Sequence, residues 1–164
     1  MPTFVTWRLW GSLPPERVFE REHVTSGEAF VTWDRLLDTA RTGPFYLRQV
    51  EIAGMVVEQL RKGDADGLCA LHAFVVMPNH VHLQCTPRVA LPELIRRVKG
   101  PTAHSANQQL GRSGEKFWQR EYFDRIVRNQ SEFNRIQRYI EWNPVKAGLA
   151  LRPEEFPWSS AQRG

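Results

Sequence analysis

Ten residues in the middle of the chain, Leu68 to Met77, are apolar except for His72. A run of this length, rich in Val and Phe, reads as a strand covered on both faces. Pro78-Asn79 suits the two central positions of a tight turn. His80 to Thr86 alternates and reads as the returning strand. The flanks interleave strands and helices with this hairpin. Phe4 to Trp10 is a strand that leaves into the loop Gly11-Ser12-Leu13-Pro14-Pro15. Glu28 to Arg41 sets Phe30, Trp33, Leu36, Leu37 and Ala40 at helical spacing, and Thr42-Gly43-Pro44 stops it. A second helix runs from about Leu47 to Lys62, with Val50, Ala53, Val57 and Leu60 on one face. Gly63 to Gly67 is a turn. Leu91 to Leu110 is a basic helix that Gly100-Pro101 must break or kink. Tyr122 to Val127 is a short strand, and Ser131 is the N-cap of a helix that ends before Pro144. The pattern predicts an α+β sandwich built on one sheet.

At 164 residues, the chain buries a core without disulfide or metal staples and is expected to be one domain, 1–164. No window approaches 18 consecutive apolar residues, so no transmembrane helix is expected. Arg8 stands where a signal peptide needs its apolar stretch, which argues against secretion. Cys69 and Cys85 make no disulfide framework and fit a reducing cytoplasm.

Charge is unevenly spread. Residues 1–87 hold 8 Lys/Arg against 10 Asp/Glu, whereas residues 88–152 hold 13 against 6. The basic half reads either as an electrostatic footprint for a polyanion or as a set of solvated helix faces.

Side chains alternate along a strand, so His80, His82 and Gln84 share one face and Val81, Leu83 and Cys85 the other. Two imidazoles on one rigid face can chelate a divalent cation. The bland alternative is a pair of surface histidines. His23, His72 and His104 are scattered and read as surface or satisfied core residues. On the helix after Ser131, Phe133, Ile136 and Ile140 make the core stripe. Tyr139 and Asn143, four residues apart, lie one turn above the other at its edge. They read either as a packing residue and a C-terminal cap, or as a nucleophile and a hard amide ligand. In the second case His80, His82 and Asn143 make an open site suited to Mg²⁺ or Mn²⁺ holding a phosphate. A phenol is a poor nucleophile at neutral pH, and a cation polarising the phosphate compensates.

His80-Val81-His82 after Phe74-Val75-Val76-Met77-Pro78-Asn79 resembles the histidine–hydrophobic–histidine (HUH) motif of single-tyrosine transposases. Tyr139 to Leu149 (YIEWNPVKAGL) resembles the tyrosine helix of one branch, the transposases associated with repetitive extragenic palindromes (REP). So do Phe117 to Asn129, Phe4 to Leu9, and Phe156-Pro157-Trp158-Ser159-Ser160. The resemblance implies a ferredoxin-like antiparallel sheet, similar to an RNA-recognition-motif sheet, with helices packed on one face. It implies cleavage and rejoining of single-stranded DNA through a 5′-phosphotyrosine link, with Tyr139 as nucleophile. His80, His82 and Asn143 would be the ligands of Mg²⁺ or Mn²⁺. The implied partner is a REP-type DNA hairpin with a single-stranded flank, met on the nucleoid in the cytoplasm. Mobile relatives of this kind work as homodimers, whereas a REP-associated form can act alone.

Arg8, Arg96, Arg97, Lys99, Arg120, Arg125, Arg128 and Lys146 are the candidate DNA contacts. Trp10, Trp118 and Trp142 are either base-stacking platforms or core. Tyr122 and Tyr46 read as packing. Two other functions compete: a non-catalytic hairpin binder that keeps the arginines, and a zinc hydrolase on the His-x-His strand, which lacks an obvious third ligand and base.

Overall fold

The computed structural model describes residues 1–13 and 27–162. His23 and the end of the loop at Pro14-Pro15 lie outside them. Four strands, β1 (Thr3–Leu9), β2 (Cys69–Val76), β3 (His80–Pro87) and β4 (Trp118–Ile126), form one sheet in the order β2-β3-β1-β4, with every neighbouring pair antiparallel. Among the described residues four α-helices accompany it: α1 (Gly27–Thr39), α2 (Val50–Ala65), α3 (Leu91–Leu110) and α4 (Gln130–Lys146). This is the α+β, ferredoxin-like antiparallel arrangement expected.

Alternation along the strands divides the core into two layers. Val5, Trp7 and Leu9 of β1, with Val81, Leu83 and Cys85 of β3, pack against Ile52, Val56 and Leu60 of α2 and Leu94, Ile95 and Val98 of α3. These two helices lie on one face, where the resemblance implied that all the helices would lie. The opposite face is covered too. Phe4, Ala73, Val75 and Phe123 meet Phe30, Trp33 and Leu37 of α1 and Ile140 of α4. A sheet whose strands carry apolar residues in both phases needs a layer on each side. That second layer positions the site.

The edge strand β2 is shielded by the closing segment. Trp158 O accepts from Val76 N at 2.8 Å, and Ser160 N donates to Phe74 O at 2.9 Å. Pairing the exposed ladder removes a template for aggregation.

Several boundaries differ from the sequence reading. Residues Tyr46–Arg48 form a 3₁₀ turn, and α2 begins only at Val50. It continues through Gly63, which is buried and faces Leu94 and Cys69, so the turn expected at 63–67 is shorter. Helix α3 is continuous through Gly100-Pro101. Burial of Leu94, Ile95, Val98 and Ala106 offsets the proline's missing hydrogen bond, and Thr102 Oγ1 donates to Val98 O at 2.8 Å beside it. The N-cap of α4 is Asn129 rather than Ser131: its Oδ1 accepts from Glu132 N at 2.8 Å. Glu132 accepts in turn from Arg128 N at 2.9 Å and pairs with Arg125 at 2.6 Å. Pro144 falls inside the last turns of α4, which ends at Lys146 instead of before the proline. Strand β4 starts four residues earlier than expected, at Trp118.

Candidate active site

Pairing of β1 with β3 sets Thr6 opposite His82 and Arg8 opposite His80. His80, His82 and Gln84 point to the α1/α4 side of the sheet. Both histidines have 0% exposure, so the surface-histidine reading is excluded. Each imidazole is oriented through Nδ1. His82 Nδ1 lies 2.6 Å from Thr6 Oγ1, and His80 Nδ1 lies 2.7 Å from Asn79 Oδ1. Asn79 is itself fixed, because its Nδ2 donates to Leu37 O of α1 at 2.9 Å. With the amide nitrogen so engaged, Asn79 Oδ1 is an acceptor. His80 Nδ1 therefore donates to Asn79, which turns Nε2 toward α1.

The sequence reading missed what those Nε2 atoms face. Asp34 of α1 puts Oδ1 3.0 Å from His82 Nε2 and 3.2 Å from His80 Nε2. Asp38, one turn on, puts Oδ1 3.6 Å from His80 Nε2. Neither carboxylate nor either Nε2 has a partner in hydrogen-bond geometry, although all are buried. Asp34, His80 and His82 make a compact group of potential metal ligands. The sequence held one sign of this. Asp34 and Asp38 occupy the i+4 and i+8 positions of the stripe that starts at Phe30 and includes Trp33 and Leu37. Acids in an apolar stripe are costly to bury and mark a site.

Burial opposes ionisation of Asp34, but the two imidazoles outweigh it and hold its carboxyl well below the usual carboxylate range. Asp38 is pushed up to about 6, chiefly by burial and further by the Asp34 charge, against the pull of His80, Lys146 and Asn143. The two neighbouring acids are thus shifted in opposite directions, as expected where one lies closer to both imidazoles.

Helix α4 delivers the remaining candidates. The Tyr139 ring lies 5.7 Å from the His82 ring, edge-on, and packs against Phe4 at 6.2 Å and Phe30 at 6.4 Å. Lys146 Nζ sits 5.8 Å from the Tyr139 ring centre. Asn143 is 1% exposed, with both amide atoms unpartnered, and lies beside Asp38. Gln84 Nε2 donates to Phe133 O at 3.1 Å and ties α4 to β3. The structure thus gathers His80, His82, Tyr139 and Asn143 on one side of the sheet. Tyr122 packs in the other core layer with Trp7, so the sheet separates it from the histidines. Tyr46 is engaged with Arg112 at 2.6 Å and stacks on Phe117.

A cleft of about 90 Å³ opens beside His80, lined by Asp38, Arg48, Asn79 and Ala147 among others. That is room for several waters and well below the roughly 300 Å³ at which small-molecule pockets begin. The geometry suits a cation with a ligand arriving at the surface rather than an engulfed metabolite.

The basic candidates divide. Arg8 shares the histidine face and donates to Ser12 Oγ at 3.2 Å. Lys146 flanks Tyr139. Arg120, Arg125 and Arg128 are exposed on or after β4. Arg96 and Arg97 are exposed on α3, across the sheet from the histidines, and both approach Glu93. Lys99 Nζ donates to Gln119 O at 2.7 Å, and burial pulls its amine down to about 8. Its bond to the start of β4 gives it a structural task. Trp118 is core, at 6.2 Å from Trp7, whereas Trp10 and Trp142 are 47% and 46% exposed. Among the described residues, no helix is long and apolar enough to cross a membrane.

The family model described as "Transposase IS200 like" matches residues 47–143. The chain is 27% identical over 100 residues to the REP-associated tyrosine transposase of Escherichia coli (strain K12), a match covering 57% of this chain and 54% of that protein. It thus spans about half the length of this curated relative. A solved structure of a REP-associated tyrosine transposase bound to a REP hairpin shares the fold, with a TM-score of 0.62 and 20% identity over 97% of this chain and 75% of that one.

Proposed function

The chain belongs to the IS200-like transposase family, and from that premise we propose that it cuts and rejoins single-stranded DNA at REP-type hairpins with Tyr139 as nucleophile. The single observation that carries this reading is the approach of the Tyr139 ring to His82, 5.7 Å away on a different element. Packing alone does not require a tyrosine beside two histidines whose buried Nε2 atoms lack hydrogen-bond partners.

The donor set suits a divalent cation. Imidazole nitrogens and an amide or carboxylate oxygen accept Mn²⁺, and Mg²⁺ less readily. Orientation of each ring through Nδ1 is the usual support for a ligating histidine. His80, His82 and Asn143 would hold the cation, which when bound polarises the scissile phosphate and offsets its charge.

Tyr139 Oη attacks phosphorus in this scheme. The new O–P bond forms as the P–O3′ bond breaks; the phenol proton passes to water, and the departing 3′ oxygen takes up a proton. The 5′-phosphate stays on Tyr139 and the phosphodiester energy is retained. Rejoining therefore needs no nucleotide cofactor. Phe4 and Phe30 hold the phenol ring in place. Lys146 and Arg8, flanking the ring and the histidines, are placed to meet backbone phosphates. Exposed Trp10 and Trp142 offer stacking faces for unpaired bases. On this reading residues 1–164 act as one HUH-type domain on the nucleoid in the cytoplasm, alone or as a homodimer.

Burial of both histidines beneath α1 favours one other reading, a hairpin binder without catalysis. Labelled REP-type hairpins with single-stranded flanks separate the two. With Mn²⁺ or Mg²⁺, a denaturing gel should show a protein–DNA adduct that EDTA abolishes. Tight hairpin binding with no adduct under either metal favours the binder.

A further inference from the structure

The carboxylate of Asp34 is not accounted for by a site made of His80, His82 and Asn143. It comes from α1, outside the residues that match the family model. It is 1% exposed, and Oδ1 meets two Nε2 atoms at 3.0 and 3.2 Å with no hydrogen-bond geometry. Because the Nδ1 edge of His80 is taken by Asn79, it is Nε2 that meets the carboxylate oxygen, at 3.2 Å. The spacing fits a shared cation. With metal–ligand bonds of about 2.1 Å, neighbouring ligand atoms lie about 3.0 Å apart in an octahedron and about 3.4 Å apart in a tetrahedron.

We propose that Asp34 is a direct ligand of the cation held by His80 and His82, so that a carboxylate from helix α1 joins the two histidines and Asn143 at the centre. The inference rests on the reading that the two histidines bind metal. Asp38 is a poorer candidate, because it approaches only His80, at 3.6 Å. Two consequences follow from the chemistry. A carboxylate neutralises one unit of the cation's charge, and two imidazoles favour Mn²⁺ over Mg²⁺. A ligand on α1 also fastens that helix over the histidine face whenever metal is bound.

Mn²⁺ alone is the probe, with the free ion followed by electron paramagnetic resonance in titrations of the full chain. Asp34→Asn should weaken Mn²⁺ binding by roughly tenfold or more. Asp38→Asn should weaken it less, and His80→Ala should also lose affinity. Binding by Asp34→Asn as tight as the parent's, while His80→Ala is weakened, overturns the inference alone and makes Asp34 an ion-pair partner that competes with metal. Equal weakening by Asp34→Asn and Asp38→Asn also overturns it, since a long-range charge effect then suffices. Unchanged binding by His80→Ala removes the underlying reading with it. Should Asp34→Asn not fold, Asp38→Asn protein labelled with ¹³C at its aspartate carboxyls decides. A strong ¹³C coupling to bound Mn²⁺ is expected, and its absence overturns the ligand assignment.

Discussion

Tyr139→Phe is expected to abolish the covalent adduct and slow DNA cleavage by on the order of 10⁴-fold or more, because no other group replaces a missing nucleophile. The phenylalanine ring keeps the edge contacts to Phe4 and His82 and the tilted contact to Phe30. Hairpin binding should therefore persist, and melting should shift by no more than about 1 kcal/mol in stability. Tyr122→Phe is the matched control, since that ring lies in the opposite core layer. Its adduct should match the parent's on the same gel. Loss with Tyr122→Phe and retention with Tyr139→Phe would reverse the assignment of the nucleophile.

His82→Ala should fail in two measurable ways at once. Metal-dependent cleavage falls to background, because one of the two imidazoles proposed to hold the cation is gone. The fold also weakens, even in EDTA. Thr6 Oγ1 loses its partner at 2.6 Å, and Asp34 keeps only His80 beside a carboxylate that is 1% exposed. Stranding a buried charge in this way costs about 3–5 kcal/mol, or roughly 10 °C in Tm for a chain of this size. Adding Asp34→Asn to His82→Ala removes the stranded charge. The double variant should recover more than half of the lost Tm while remaining inactive. No recovery would mean that the instability comes from the cavity left by the imidazole rather than from Asp34.

The sequence was most informative where period decides geometry. Alternation from His80 to Thr86 put both histidines on one face, and the four-residue spacing of Tyr139 and Asn143 put them on one side of α4. Boundaries were less legible because tertiary contacts override local rules. Pro101 stays inside α3 and Pro144 inside α4 because packed neighbours compensate a lost hydrogen bond. Asn129 outcompetes Ser131 as N-cap, and Glu132 adds bonds to Arg125 and Arg128. The burial of the histidines was invisible in the strand itself, since the cover is α1, more than 40 residues upstream. Asp34 and Asp38 were overlooked because a helix read by its apolar positions discards the polar ones. Their place in the stripe of Phe30, Trp33 and Leu37 was the available clue.

The proposed reaction exchanges a phosphodiester onto one phenol oxygen. The adduct formed with Mn²⁺ and a flanked REP-type hairpin can be digested with nuclease and then protease, and the modified peptide sequenced by mass spectrometry. A 5′-phosphonucleotide is expected on Tyr139 and none on Tyr46 or Tyr122. A nucleotide carried by either of those tyrosines, or a chain that binds and cuts the hairpin without any covalent link, would contradict it.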